Sequence, residues 1–166
     1  NFWKRAQALA KKAGALLVLD ETHTLSSGPG GATRAWGLAP DALVIGKAIA
    51  GGFPAAVWGV SAELAEKIGA VKASGGRSGI GTTLAGNAMG IAAIGATLRE
   101  VATPAAYEVM LKGADDLVAK LRDVIAKRAL SWCVVHVGAR AEIVFAPEPP
   151  NNAAAMRPAL AQSELN

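Results

Sequence analysis

The amino-acid sequence predicts an α/β fold, in which helices flank a mostly parallel β-sheet. Short apolar runs of the kind that form strands buried on both faces occur at residues 15–20, 42–46 and 55–60. An amphipathic helix is predicted over residues 2–13, before the first of these runs. Hydrophobic residues make up 52% of the 166 residues and charged residues 18%, so the chain can bury a core and is not disordered.

The segments between these runs carry turn and cap residues. Residues 21–40 are rich in Gly, Ser and Pro and predict a long loop with turns. Ser61 can cap a short helix that follows the third run. Residues 69–83, which are rich in Gly and Ser, predict a mobile loop. Small apolar residues dominate residues 84–100, and this composition predicts a deeply packed helix.

The sequence pattern changes after this small-residue segment. Thr103 and Pro104 open a long amphipathic helix, because a capping hydroxyl is followed by proline at the first helical position. Two strand-like runs follow that helix. The change predicts a boundary between an α/β unit over residues 1–101 and a smaller α+β unit over residues 102–166.

Charge and cysteine content limit the classes of function. The formal net charge is +4, but the basic residues are scattered and are not interleaved with aromatic residues, so we expect no nucleic-acid surface. No run of about eighteen apolar residues occurs, so we expect no membrane span. The single cysteine, Cys133, cannot form an internal disulfide, and a reducing, cytoplasmic location is expected. His23 and His136 lie far apart, and no cluster with ligand spacing predicts a metal site.

Three polar features follow or precede apolar segments. Asp20 ends the first apolar run, Lys47 follows the second, and Thr82 and Thr83 precede the small-residue helix. In open α/β sheets, ligands bind beyond the carboxyl ends of the strands. We therefore expect Asp20 and Lys47 to point into the same crevice.

The surroundings of Lys47 favour a nucleophilic amine. Apolar neighbours favour the neutral form of a lysine, which can form a Schiff base with an aldehyde. Gly46, Gly51 and Gly52 leave room for a flat ring close to the backbone. A Gly-Lys pair taken alone is more often structural. The phosphate-loop pattern of nucleotide-binding domains is not met, because Lys47 is followed by Ala48.

Asp20 and the two threonines add to this chemistry. A carboxylate at the end of a buried strand needs a cationic or hydrogen-bonding partner, and a protonated pyridine nitrogen would supply one. An aspartate that caps a loop is the alternative. Hydroxyls and free amides at a helix N-terminus, as in GTTLAGNAMG, favour a phosphate, and the alternative is a Thr cap on a packed helix.

Three stretches of the sequence closely resemble the class III aminotransferases, the family that includes the glutamate-1-semialdehyde aminomutases. They are LLVLDETHT, PDALVIGKAIAGGFPAAVWG and GTTLAGNAMGIAA, and their order and spacing match the family. The resemblance implies that residues 1–101 are the C-terminal portion of the large domain of fold-type I pyridoxal-phosphate enzymes. Residues 102–166 would then begin the small domain.

The resemblance also implies a cofactor and the residues that hold it. Pyridoxal 5′-phosphate would be bound as a Schiff base by Lys47, and Asp20 would pair with its pyridinium nitrogen. Thr83, with Thr82 beside it, would reach the phosphate of the neighbouring subunit's cofactor. A homodimer with shared active sites is therefore implied.

Two candidate cofactor-binding residues depart from the family pattern. Thr22 stands where the family usually packs a valine or isoleucine against the ring. His23 comes next in the chain, which reads DETHT where the family motif reads Asp-Glu-Val. His23 could contact the substrate or the phenolic oxygen of the cofactor, or it could be an ordinary loop histidine. The phosphate-cup and ring-stacking segment that precedes the Asp20 strand in the family is not in the sequence, so we expect a fragment of a longer enzyme.

The resemblance implies transamination, the movement of an amino group between an amino acid or amine and a keto acid or aldehyde. In this mechanism Lys47 also carries the proton as general base and acid. Two alternatives remain open: intramolecular amino transfer of the glutamate-1-semialdehyde 2,1-aminomutase type, or a fragment that is inactive by itself. The expected partners are a small-molecule amino donor and a carbonyl acceptor, and the sequence does not identify them.

Overall fold

The computed structural model describes residues 2–73, 81, 83–152, 154–155 and 157 of the chain. Its helices and strands confirm the α/β class. In chain order they are α1 (Phe2–Lys12), β1 (Val18–Asp20), α2 (Gly31–Ala35), β2 (Ala42–Ile45), β3 (Val57–Val60), α3 (Ala62–Ala73), α4 (Ala88–Ala96), α5 (Pro104–Lys127), β4 (Cys133–Val137) and β5 (Arg140–Val144). Short 3₁₀ helices lie at Thr24–Ser27 and Lys47–Ala50, and a π-helical turn, Thr97–Val101, continues α4.

The first sheet brings the ends of β1 and β2 to one edge. Its strand order is β1-β2-β3, with β1 parallel to β2 and β3 antiparallel to β2, so these strands form a mixed sheet. Asp20, the last residue of β1, pairs with Val44, one residue before the end of β2. Because parallel strands run in the same direction, the residues that follow Asp20 and Ile45 emerge on the same side of the sheet.

The prediction that the apolar runs are buried on both faces is wrong for the two outer strands. Val18 of β1 is 56% exposed and Trp58 of β3 is 50% exposed. Each of these strands has one neighbour in the described sheet, so one edge of each pairs with no other described strand. Burial of a strand therefore depends on what packs against it, as well as on its own composition.

Two loop predictions are corrected. Residues 21–40 were expected to form a loop, but they contain the 3₁₀ helix Thr24–Ser27 and the short helix α2. Residues 69–73 were expected to belong to a mobile loop, but they belong to α3. Residues 74–80 and 82 of that predicted loop lie outside the described residues. The cap predicted for α3 is confirmed, because Ser61 Oγ accepts a hydrogen bond from Leu64 N at 3.2 Å.

The small-residue helix forms but is not deeply packed. Asn87 caps α4 by accepting a hydrogen bond from Gly90 N at 2.8 Å. Met89 is 65% exposed and Ile91 is exposed as well, whereas only Gly90 and Thr97 are buried between residues 83 and 101. The described residues cover one side of α4 alone, which explains why the predicted packing is incomplete.

The C-terminal elements form as predicted and contact the segment after β1. Thr103 Oγ1 accepts a hydrogen bond from Ala106 N at 3.2 Å, and Pro104 opens α5. Strands β4 and β5 form an antiparallel hairpin that packs against α5. In the turn of the hairpin, Ala139 N donates a hydrogen bond to Ser26 O at 3.1 Å. None of the helices in the described part of the chain is both long and apolar enough to cross a membrane.

Candidate active site

Asp20 lies at the carboxyl end of β1 with its side chain exposed. Its Oδ1 accepts a hydrogen bond from Thr22 N at 2.8 Å. Hydrogen bonds from the side chain and backbone of Thr22 lower the pKa of Asp20 most, burial opposes them by less, and the nearby positive charges of Lys47 and His23 lower the pKa slightly further. Asp20 is therefore an ionised carboxylate at neutral pH.

Lys47 follows β2 in an unusual backbone conformation. Its φ is +48°, in the left-handed region that residues with a side chain rarely adopt, at a cost of about 1–2 kcal/mol. Strain of this kind is concentrated at functional sites. The side chain of Lys47 is exposed, while Ile49 and Ala50 are buried. The predicted apolar surrounding is thus wrong for the described chain, because Ile49 and Ala50 are buried away from Lys47, which is exposed together with Ala48.

Thr22 lies between Asp20 and the start of the Lys47 turn. A Cβ atom placed on Gly46 would lie 3.6 Å from Thr22 Oγ1, in ordinary van der Waals contact. Thr22 and Gly46 are thus neighbours across the end of the parallel strand pair. The structure therefore brings Asp20, Thr22 and Lys47 to the same edge of the sheet.

Of the other predicted cofactor-binding residues, the structure describes His23 and Thr83. His23 is exposed at the start of the 3₁₀ helix Thr24–Ser27, and its carbonyl accepts a hydrogen bond from Ser26 Oγ at 3.1 Å. Thr83 is exposed in the turn before α4, and Thr82 lies outside the described residues. Residues from this turn and from α4 line a groove with residues 53–57, which follow the Lys47 turn. A phosphate contact of Thr82 and Thr83 stays a prediction.

Glu21, which directly follows Asp20, was not predicted as a functional residue from the sequence. Its side chain is buried at 2% exposure, while its neighbour Asp20 is exposed. Alternation of side chains along a strand explains this, because successive residues point to opposite faces. The sequence did contain a signal for this. Asp20 and Glu21 together end the first apolar run, and only one of two successive side chains can face the crevice.

Comparisons with known proteins agree on one family. Residues 1–148 match the class-III aminotransferase family. A glutamate-1-semialdehyde 2,1-aminomutase from Desulfatibacillum aliphaticivorans is 34% identical over 156 residues, which are 92% of this chain and 35% of that protein. The chain thus spans about a third of the length of the relatives it matches.

Solved structures give the same result. A glutamate-1-semialdehyde aminomutase from Pseudomonas aeruginosa PAO1 in complex with PMP is 41% identical, with a TM-score of 0.86 over 93% of this chain and 35% of that chain. A β-phenylalanine aminotransferase from Variovorax paradoxus, at 24% identity and a TM-score of 0.81 over 93% of this chain and 35% of its own, shares the fold. The chain belongs to the class-III aminotransferases, a family of pyridoxal-phosphate-dependent enzymes.

Proposed function

We propose that the protein acts as a pyridoxal-phosphate-dependent aminotransferase that moves an amino group between an amino acid or amine and a keto acid or aldehyde. One observation carries the proposal. Asp20 and Lys47 follow neighbouring parallel strands at the same sheet edge, and they lie close enough for the charge of Lys47 to lower the pKa of Asp20. A carboxylate and an amine placed in this way suit the two groups of the cofactor that they would bind, the ring nitrogen and the aldehyde.

The side chains at this edge fit the cofactor chemically. Asp20 is ionised, and a carboxylate oxygen can accept a hydrogen bond from the N–H of a protonated pyridine. Lys47 is exposed and takes part in none of the ion pairs found among the described residues, so its Nζ is not held by a carboxylate there. Thr22 donates a hydrogen bond to Asp20, lies beside Gly46, which precedes Lys47, and would contact the ring.

Each residue has a distinct part in the proposed reaction. When bound, pyridoxal phosphate supplies an electron sink for the electrons of the bond broken at the substrate carbon. Asp20 would keep the ring nitrogen protonated. Lys47 would hold the cofactor through Nζ and, as a free amine, would accept a proton on that nitrogen and return it as a general acid.

We also propose a homodimer in which Thr82 and Thr83 contact the phosphate of the cofactor held by the partner subunit. The exposed apolar side chains that follow these threonines, Leu84, Met89 and Ile91, support a contact between subunits on this face.

We also propose a division into two domains at residue 101, which separates the three-stranded sheet from the β4–β5 hairpin. The free thiol of Cys133 supports the proposed cytoplasmic location.

Reduction with borohydride tests the assignment of Lys47. The full-length native protein, loaded with pyridoxal phosphate, is reduced and digested, and a phosphopyridoxyl adduct is expected on the peptide that contains Lys47. Lys67 provides the control, because it is exposed and paired with Glu63 on α3 and has no place in the site. An adduct that survives Lys47→Ala, or that forms equally on Lys67, would contradict the proposal.

Intramolecular amino transfer is the second candidate. The relatives and structures with 31–42% identity are named as glutamate-1-semialdehyde aminomutases, whereas the transaminase structures share 21–27% identity. An assay with glutamate-1-semialdehyde separates the two candidates. An aminomutase converts this aminoaldehyde without any added carbonyl acceptor, whereas a transaminase consumes one molecule of a keto acid or aldehyde for each turnover. Product formed at the same rate with and without an acceptor would favour the aminomutase.

A further inference from the structure

The buried carboxylate of Glu21 ties together three parts of the chain. Its Oε2 accepts hydrogen bonds from Thr24 Oγ1 at 2.5 Å and from Ala32 N at 3.1 Å, and its Oε1 accepts one from Thr33 N. Glu21 N in turn donates to Val44 O at 2.8 Å and so continues the pairing of β1 with β2. The end of β1, the 3₁₀ helix and the start of α2 therefore share one acceptor group.

The surrounding structure is shaped to hold this carboxylate in its charged form. Burial raises the pKa of Glu21, but the hydrogen bonds from Thr24, Thr33 and Ala32 outweigh it, so the pKa lies below its ordinary value. Gly31 is required beside it, because its φ is +64° and a Cβ atom there would lie 2.7 Å from Glu21 Oε2. A buried carboxylate that accepts hydrogen bonds from three donors is a fixed point in the structure.

The buried residue Tyr107 of α5 also lies near this fixed point. Burial raises the pKa of Tyr107, and the negative charge of Glu21 raises it further. The first turns of α5 are therefore placed next to the same carboxylate that holds the loop after β1.

Glu21 also determines how the chain leaves the candidate site. Asp20 Oδ1 is bound by Thr22 N, and Glu21 Oε2 is bound by Thr24 Oγ1. Each of the two adjacent carboxylates thus holds one of the residues that follow, Asp20 holding Thr22 and Glu21 holding Thr24. Because Thr22 N orients the Asp20 carboxylate, a change in the path of residues 22–24 would move the group that meets the cofactor ring.

We propose that Glu21 is a positioning residue, which fixes the Asp20 carboxylate and residues 22–24 for the cofactor ring by anchoring the end of β1 to the start of α2. This inference rests on the proposed function. It adds a role for a residue that does not itself touch the cofactor.

Two substitutions and a matched control test the role of Glu21 in the full-length native protein. Glu21→Gln removes the charge and places an amide donor against backbone N–H donors, and Thr24→Val removes one donor while keeping the carboxylate. Glu63→Gln is the control, because it removes the same charge from an exposed position on α3. Three quantities are measured: hydrogen exchange of the amides of Ala32 and Thr33, the dissociation constant of pyridoxal phosphate, and turnover at saturating cofactor.

Glu21→Gln is expected to speed exchange of the two amides, to weaken cofactor binding, and to lower turnover of the cofactor-saturated enzyme by about tenfold or more, since small displacements in a site are costly. Thr24→Val should change all three quantities in the same direction by less, and it decides the test if Glu21→Gln fails to fold. Glu63→Gln should change none of them.

Two outcomes would overturn the role of Glu21. The first is unchanged exchange at Ala32 and Thr33. The second is faster exchange with unchanged cofactor affinity and turnover, which would make Glu21 merely structural. Failure of the proposed function is recognised separately, because it would appear in the unsubstituted protein as the absence of a borohydride adduct on Lys47.

Discussion

Replacement of Lys47 by alanine is expected to lower the turnover of amino transfer by about 10³-fold or more, since it removes both the covalent holder of the cofactor and the proton carrier. The substitution keeps a Cβ atom at φ +48°, so the backbone strain stays nearly the same and the loss reports on the amine alone. The measurement is kcat of the full-length native protein at saturating pyridoxal phosphate, together with the visible absorption of the bound cofactor.

The control for this prediction is Lys67→Ala. Lys67 is an exposed lysine whose ammonium pairs with Glu63 at 2.7 Å on the surface of α3, and such pairs contribute little to stability. Turnover and cofactor absorption should therefore stay close to those of the unsubstituted protein. Turnover of Lys47→Ala within about tenfold of normal would show that the lysine has neither of its proposed roles.

The backbone at Lys47 provides independent support for a functional side chain. Glycine would adopt φ +48° without strain, and the chain uses glycine at Gly51, only four residues later, where φ is +61°. A lysine in the same conformation costs free energy that a glycine would not. The strained position is thus explained most directly by a requirement for the side chain.

The sequence predicted the strand ends that carry Asp20 and Lys47 better than their surroundings. Asp20 and Lys47 could be placed at strand ends because short apolar runs mark strands, and the parallel pairing of β1 with β2 then puts those ends at one edge. The caps of α3 and α5 were also predicted correctly, because Ser61 and Thr103 act through amides only three residues away.

Features that depend on distant parts of the chain were not predicted. Glu21 receives hydrogen bonds from Ala32 and Thr33, eleven and twelve residues away, and no local pattern reveals such a contact. The predictions of burial were wrong for a similar reason, since the exposure of Val18 and Met89 depends on which elements cover them. The φ of Lys47 could not be predicted either. Conformational propensities describe residue types, whereas the strain at Lys47 is set by the turn that contains this residue.

Replacement of Asp20 is expected to separate catalysis from cofactor binding. Asp20→Ala should lower kcat by about 10²-fold or more, because the ring nitrogen would no longer be held protonated and the ring would be a poorer electron sink. The dissociation constant of pyridoxal phosphate should rise far less, since Lys47 still holds the cofactor. Asp116→Ala on α5 is the control, because Asp116 is exposed and pairs only with Lys112 among the ion pairs described.

A second substitution distinguishes the charge of Asp20 from its part in the local fold. Asp20→Asn keeps an oxygen that can accept the hydrogen bond from Thr22 N, but it cannot carry the negative charge. Turnover should therefore fall nearly as far as in Asp20→Ala, while thermal stability stays closer to that of the unsubstituted protein. Equal losses of turnover and cofactor affinity in both variants would instead identify Asp20 as a structural cap.

The pH dependence of turnover tests the charge state of Asp20. The pKa of Asp20 is held below its ordinary value of 3.8, first by hydrogen bonds from Thr22 and then by the charges of Lys47 and His23. The carboxylate is therefore charged above that value and becomes neutral only as the pH falls through the lowered pKa. Any loss of turnover between neutral pH and pH 3.8 must accordingly arise from another group, and it should persist unchanged in Asp20→Asn.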